Sequence, residues 1–166
     1  FTIYTKGFRG EALASIAAVA QVEMKTKQMS SDIGYKVKIE GGNVKDLSEE
    51  ACTDGTSIAV RNLFFNVPAR RNFLKSNNVE MRHITEEFQR LAISHPDVSL
   101  ELFHNDLPIH SCPKGKLSQR IVDIFGKSYK KQMAKISEET PDIKISGFIG
   151  RPEFAKKSKG DQFLFV

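Results

Sequence analysis

The period of hydrophobic positions changes several times along the chain, and each change predicts an element. From Glu11 to Val19, alanine, leucine and isoleucine supply strong helix formers with one apolar face, so a helix is expected after the glycine loop Gly7-Phe8-Arg9-Gly10. Val22, Met24 and Thr26 alternate with Glu23, Lys25 and Lys27, and Tyr35, Val37 and Ile39 alternate with Lys36, Lys38 and Glu40. Period two predicts two half-buried strands. Gly41-Gly42-Asn43 supplies a tight turn, Val44 to Leu47 can return antiparallel, and Gly55 introduces a strand from Thr56 to Leu63. Pro68 suits the first turn of a short basic helix through Lys75, where its missing N–H is not needed.

From Val79 to Ser94, Met81, Ile84, Phe88 and Leu91 recur every three or four residues and predict one apolar face of a helix. Strands from Val98 to His104 and Leu107 to Cys112 flank Asn105-Asp106, side chains suited to a two-residue hairpin. Pro113-Lys114-Gly115 breaks the pattern. A second amphipathic helix then turns Leu117, Ile121, Ile124 and Phe125 inward, with Gly126 as its cap. Lys127 to Lys131 reads as a connector, Ile143 to Ile149 as a strand, and Gln162 to Val166 as a last strand. The domain boundary is expected between residues 112 and 113.

Of the 166 residues, 40% are hydrophobic and 27% charged, which fits a folded globular protein and excludes compositional disorder. No apolar run approaches the roughly 20 residues of a membrane span, and the opening residues are not a signal peptide, so a cytoplasmic location without membrane contact is expected. Cys52 and Cys112 are far apart and form no CxxC pair, which argues for packing thiols rather than a zinc ribbon or a disulfide scaffold. The first residue is Phe1, and Phe163-Leu164-Phe165-Val166 is apolar to the last position, so both ends look cut. A net charge of +5 favours a polyanionic partner without naming one.

A glycine-flanked turn at a helix N-terminus exposes backbone N–H groups at the positive end of the helix dipole, an arrangement suited to phosphate. A lone GxxG is weak evidence. The longer string Gly7-Phe8-Arg9-Gly10-Glu11-Ala12-Leu13-Ala14-Ser15-Ile16 resembles the signature of the MutL family of DNA mismatch-repair proteins, within the ATPase superfamily that includes gyrase, heat-shock chaperones and histidine kinases. A second block, Asn62-Leu63-Phe64-Phe65-Asn66-Val67-Pro68-Ala69-Arg70-Arg71-Asn72-Phe73-Leu74-Lys75, is similar to another MutL signature and follows Gly55-Thr56 in the family's order. The resemblance runs more loosely over most of the chain.

The resemblance implies an α+β fold, with helices on one face of a mixed, mostly antiparallel sheet, an incomplete Bergerat-type ATPase. Residues 1–112 would be the later part of the ATP-binding domain. Residues 113–166 would begin a second, transducer domain with a ribosomal-protein-like α/β fold. Gly7, Phe8, Arg9 and Gly10 would meet the phosphates of ATP, and Thr56 would lie on the strand facing adenine. The family's glutamate base, its asparagine ligand for Mg2+ and its Asp-x-Gly-x-Gly motif would precede Phe1, and its second-domain lysine would follow Val166. No catalytic residue is therefore expected here, and hydrolysis by these residues alone is not expected. The intact parent would be an ATP-operated homodimeric switch that binds DNA. It would couple a MutS-type mismatch recognition protein to a downstream nuclease or helicase, and so to strand nicking, unwinding or excision.

Other candidates yield blander readings. Glu11 is explained by the helix dipole rather than as a catalytic base. Arg70, Arg71 and Lys75 form one basic cluster, and Lys114, Lys116, Arg120, Lys127, Lys130, Lys131 and Lys135 form another. Either can contact DNA phosphate or be a solvated face, with Arg70, Arg71, Lys75, Lys130 and Lys131 the candidates for contact. His104, His110 and Cys112 lack zinc-ligand spacing, so no metal site is expected. His83 and His95 read as surface or cap residues. Two further classes stay open: a non-enzymatic nucleic-acid-binding module, and a gyrase-type topoisomerase.

Overall fold

The computed structural model describes residues 9–155, 157 and 162–165. They form an α+β structure in two compact units, Phe1–Lys75 and Ser76–Val166. The packing therefore divides at a different place from the 112/113 boundary expected for the domains.

In the first unit, α1 (Ala12–Ala17) leads into β1 (Gln21–Lys27), β2 (Gly34–Glu40), β3 (Asn43–Glu50) and β4 (Gly55–Arg61), followed by α2 (Pro68–Asn72). The sheet order is β3-β2-β1-β4. Each neighbouring pair is antiparallel, with Val22 opposite both Ile39 and Val60. Helix α1 stops two residues short of the expected Val19. Gly41 and Gly42 have φ of 55° and 84°, the left-handed geometry that a two-residue hairpin turn requires.

The apolar alternation read in β1 and β2 buries Val22 with Ala17 and Ala20, and Ile39 packs against them. The charged alternation faces the other way. There the Glu50 carboxylate accepts hydrogen bonds from Lys25 and Lys36, which hold its carboxyl at about 2 rather than 4.5. Lys36 also pairs with Asp46 at 3.3 Å. These pairs lie at the surface, where each adds little to stability.

In the second unit, α3 (Asn77–Ser94) precedes the hairpin β5 (Leu100–His104) and β6 (Leu107–Cys112), then α4 (Leu117–Phe125), α5 (Tyr129–Gln132) and the hairpin β7 (Met133–Glu139) and β8 (Lys144–Gly150). Asn105 and Asp106, at φ of 49° and 62°, make the expected turn. Ala92, Ile93, Cys112 and Ile124 form the core, flanked by Phe88, Leu100, Leu117, Phe125 and Phe163.

Three expectations change in this unit. Ile84 and Leu91 are 52% and 44% exposed, because the core closes on the Phe88, Ala92 and Ile93 side of α3. The expected connector contains α5, and β7 follows where no strand was read. Its Met133 to Glu139 backbone is held by antiparallel hairpin pairing with Lys144 to Gly150. Residues 162–165 have no strand pairing, so the last strand is not present among the described residues, and Val166 lies outside them. Among the described residues no helix is long and apolar enough to cross a membrane.

Candidate functional site

Of the glycine loop, Gly7 and Phe8 lie outside the described residues, while Arg9 and Gly10 lie within them. Gly10 has φ +67°, a left-handed conformation that costs an L residue about 1–2 kcal/mol. Apart from Gly10 itself and its two chain neighbours, no described atom lies within 4 Å of the point where its Cβ would stand. Gly10 therefore enters α1 through a conformation that selects glycine, with open space among the described residues on the side a Cβ would occupy. Glu11 is the N-cap residue rather than part of the first turn, and its backbone carbonyl accepts from the Ser15 N–H at 2.9 Å.

Thr56 stands on β4, opposite Thr26 of β1, and the two hydroxyls hydrogen-bond at 2.8 Å. Gly55 beside it has φ +104°. A hydroxyl pair on a strand at the sheet's edge gives β4 a polar, exposed position that can donate to or accept from a ligand.

The second signature block does more than its sequence suggested. Asn62 and Phe64 have φ of 52° and 63°, so the segment after β4 coils through two left-handed residues before Pro68 starts α2. The Asn62 amide donates to Gln21 Oε1 at 2.6 Å, and the Asn66 amide donates to the Ala18 carbonyl at 2.9 Å. Sequence reasoning assigned neither asparagine a role. For Asn62 a signal was present in asparagine's tolerance of left-handed backbone, but Asn66 has no such angle, and the two partners lie 41 and 48 residues away.

Arg70, Arg71 and Lys75 are exposed in or after α2, and Lys130 and Lys131 are exposed on α5. Arg120 does not belong with them. It is 1% exposed, and its guanidinium donates to the carbonyls of Ala92, His95, Pro96, Val98, Cys112 and Pro113. Its charge serves backbone oxygens and is removed from any phosphate-binding surface. His110 stacks on Phe88 with centroids 5.6 Å apart, and burial lowers its pKa. Cys112 is buried and its thiol is pushed up by the same cause. Among the described residues no group of three or more His, Cys, Asp or Glu side chains is placed to hold a metal ion.

The family described as DNA mismatch repair protein, C-terminal domain, matches residues 121–166. The DNA mismatch repair protein MutL of Christiangramia forsetii is 52% identical over 100% of this chain, and that of Parabacteroides distasonis is 48% identical over the same span. The chain belongs to the MutL family. It spans 27% of the length of each of these two relatives. Among solved structures, the Aquifex aeolicus MutL ATPase domain complexed with ADP superposes with a TM-score of 0.76 and 29% identity, covering 85% of this chain and 56% of that one. An N-terminal domain of a DNA repair protein reaches 0.80 at 21% identity, a likeness of fold alone that covers 95% of this chain and 52% of that one. The α+β fold with antiparallel pairing agrees with MutL membership.

Proposed function

We propose that this MutL segment is the phosphate-loop half of a nucleotide site together with the start of the domain that answers to it. The parent protein is an ATP hydrolase of mismatch repair, working as a homodimer. It binds DNA and passes a mismatch signal from a MutS-type protein to a nuclease or helicase. The observation that carries this reading is Gly10, held at φ +67° at the mouth of α1 within a MutL signature. The ADP complex of the similar Aquifex aeolicus domain supports a nucleotide as the ligand.

In this reading the N–H groups of Gly7, Phe8, Arg9 and Gly10 meet the nucleotide phosphates, and Thr56 faces the adenine side. Mg2+ accompanies ATP in the parent, on ligands contributed by other parts of it. Residues 1–112 belong to the ATP-binding domain and 113–166 to the second domain, a division supported by the family match that starts at residue 121. Arg70, Arg71 and Lys75 in the first unit, and separately Lys130 and Lys131 in the second, supply exposed charge for DNA phosphates, with salt-sensitive and sequence-independent contact expected.

Gly10→Val in the full-length protein tests the reading. A β-branched residue resists left-handed backbone, and its methyl groups would stand in the open space on the phosphate side. ATP affinity should fall at least tenfold, and the thermal stabilisation that ATP confers should disappear while the unliganded transition shifts little. Wild-type ATP affinity in a folded Gly10→Val protein would refute the phosphate loop.

A further inference from the structure

The end of α1 is tied down in an unusual way. Four successive carbonyls there each accept a hydrogen bond from a segment distant in sequence. Ala17 O receives the Gly42 N–H at 2.9 Å, Ala18 O the Asn66 amide at 2.9 Å, Val19 O the Phe64 N–H at 2.7 Å, and Ala20 O the Gly41 N–H at 3.2 Å. A helix end leaves carbonyls unsatisfied, and here the second signature block and the β2–β3 turn supply the donors.

From that junction a run of tight turns leads into α2. Phe65 N–H bonds to Asn62 O at 3.0 Å, Val67 N–H to Phe64 O at 3.1 Å, Arg70 N–H to Val67 O at 3.0 Å, and Arg71 N–H to Val67 O at 3.2 Å. The basic residues of α2 thus hang from the same frame that holds the end of α1. The other end of α1 is the Gly10 loop, six helical residues away.

Of the four bonds, that of Asn66 is made by a side chain. Asn66 is itself exposed, so it is not there to fill a core. Gly41 accommodates it: a Cβ at Gly41 would stand 3.3 Å from Asn66 Nδ2 and 3.4 Å from Phe65 Cζ. We propose that Asn66 is a positioning residue that couples the Gly10 loop to the basic helix α2, so that nucleotide at one end of α1 alters DNA affinity at Arg70 and Arg71. The proposal rests on the nucleotide reading of the Gly10 loop. A shift or rotation of α1 on nucleotide binding moves the Ala18 carbonyl, and the Asn66 amide transmits that movement to the turn before Pro68. Without the amide, only the Phe64 N–H bond to Val19 O ties, among the described residues, the second signature block to this end of α1, and the turn before Pro68 follows α1 less closely.

The test is a linkage measurement on the full-length protein. DNA affinity for a duplex of fixed length is measured by anisotropy with and without a saturating non-hydrolysable ATP analogue, at one salt concentration. The wild-type ratio of the two affinities should be about fivefold or more, and DNA should change analogue affinity by the same factor. In Asn66→Ala the ratio should fall at least about twofold below the wild-type ratio, while each affinity measured alone stays within about threefold of wild type. Asn66→Asp keeps the shape but cannot donate, and should behave like Asn66→Ala. Gly41→Ala, whose Cβ would press on Asn66 Nδ2, should also reduce the ratio.

A wild-type ratio of one overturns the proposal. So does a wild-type ratio preserved in both Asn66 variants, or a loss in those variants confined to the separate affinities. Gly10→Val distinguishes the underlying reading: normal analogue affinity in that variant removes the phosphate loop itself. Abolished analogue affinity there, with coupling intact in Asn66→Ala, removes only the role of Asn66.

Discussion

The Arg120 guanidinium reaches the Val98 carbonyl oxygen at 2.6 Å, across 22 residues of sequence. With its other carbonyl partners this bond fastens the α3–β5 loop and the end of β6 to α4. Breaking such a set leaves buried acceptors unsatisfied, which is worth several kcal/mol. Arg120→Ala should lower stability by about 3 kcal/mol or more, read as a shift in the urea unfolding midpoint. Arg120→Lys should recover only part, because an ammonium has three donors in place of the planar fork of five. An Arg120→Lys protein that unfolds at the wild-type urea concentration would contradict this account.

Gly34 opens β2 in a confined place. A Cβ there would stand 2.4 Å from Cys52 Sγ, 2.9 Å from the Glu50 carbonyl oxygen and 3.1 Å from the Thr26 carbonyl oxygen. Gly34→Ala should therefore cost about 1–3 kcal/mol through overpacking, measured by thermal or urea unfolding. Adding Cys52→Ala should relieve the sulfur contact and leave the cost imposed by the two backbone oxygens. Full recovery in the double variant would show that the oxygens move aside freely.

His110 gives the second unit a pH dependence. Its folded pKa lies below the ordinary 6.5 because burial against Phe88 disfavours the charged ring. The unfolded chain then binds the proton more readily, so this residue costs no stability above pH 6.5 and removes stability as pH falls through 6.5 toward the folded value. His110→Phe retains an aromatic ring beside Phe88 and should flatten that part of the stability profile. Urea midpoints at several pH values between 5 and 8 would check it, and an unchanged slope would assign the dependence to another group.

Local chemistry made much of this protein legible. Alternation in β1 and β2 named the strands and the inward face that carries Val22 and Ile39, because period two is intrinsic to extended backbone. Asn105-Asp106 and Gly41-Gly42 announced their turns through residues that tolerate positive φ. Gly10 was singled out as part of a glycine-flanked turn at a helix N-terminus, and its backbone has a left-handed angle that favours glycine.

Tertiary structure decided what depends on partners remote in the chain. Arg120 reads as one more basic surface residue until six distant carbonyls converge on it, and Ile84 reads as core until α3 turns Ala92 and Ile93 inward instead. Asn66 acquires a partner only when the second signature block is folded back onto the end of α1. The sequence by itself determined periodicity, turns and the glycine that a left-handed loop needs, since these follow from the energetics of a residue and its neighbours. Which charge is buried, which apolar face is covered and which side chain bridges two segments were left to the tertiary structure, because each is set by atoms brought together across tens of residues.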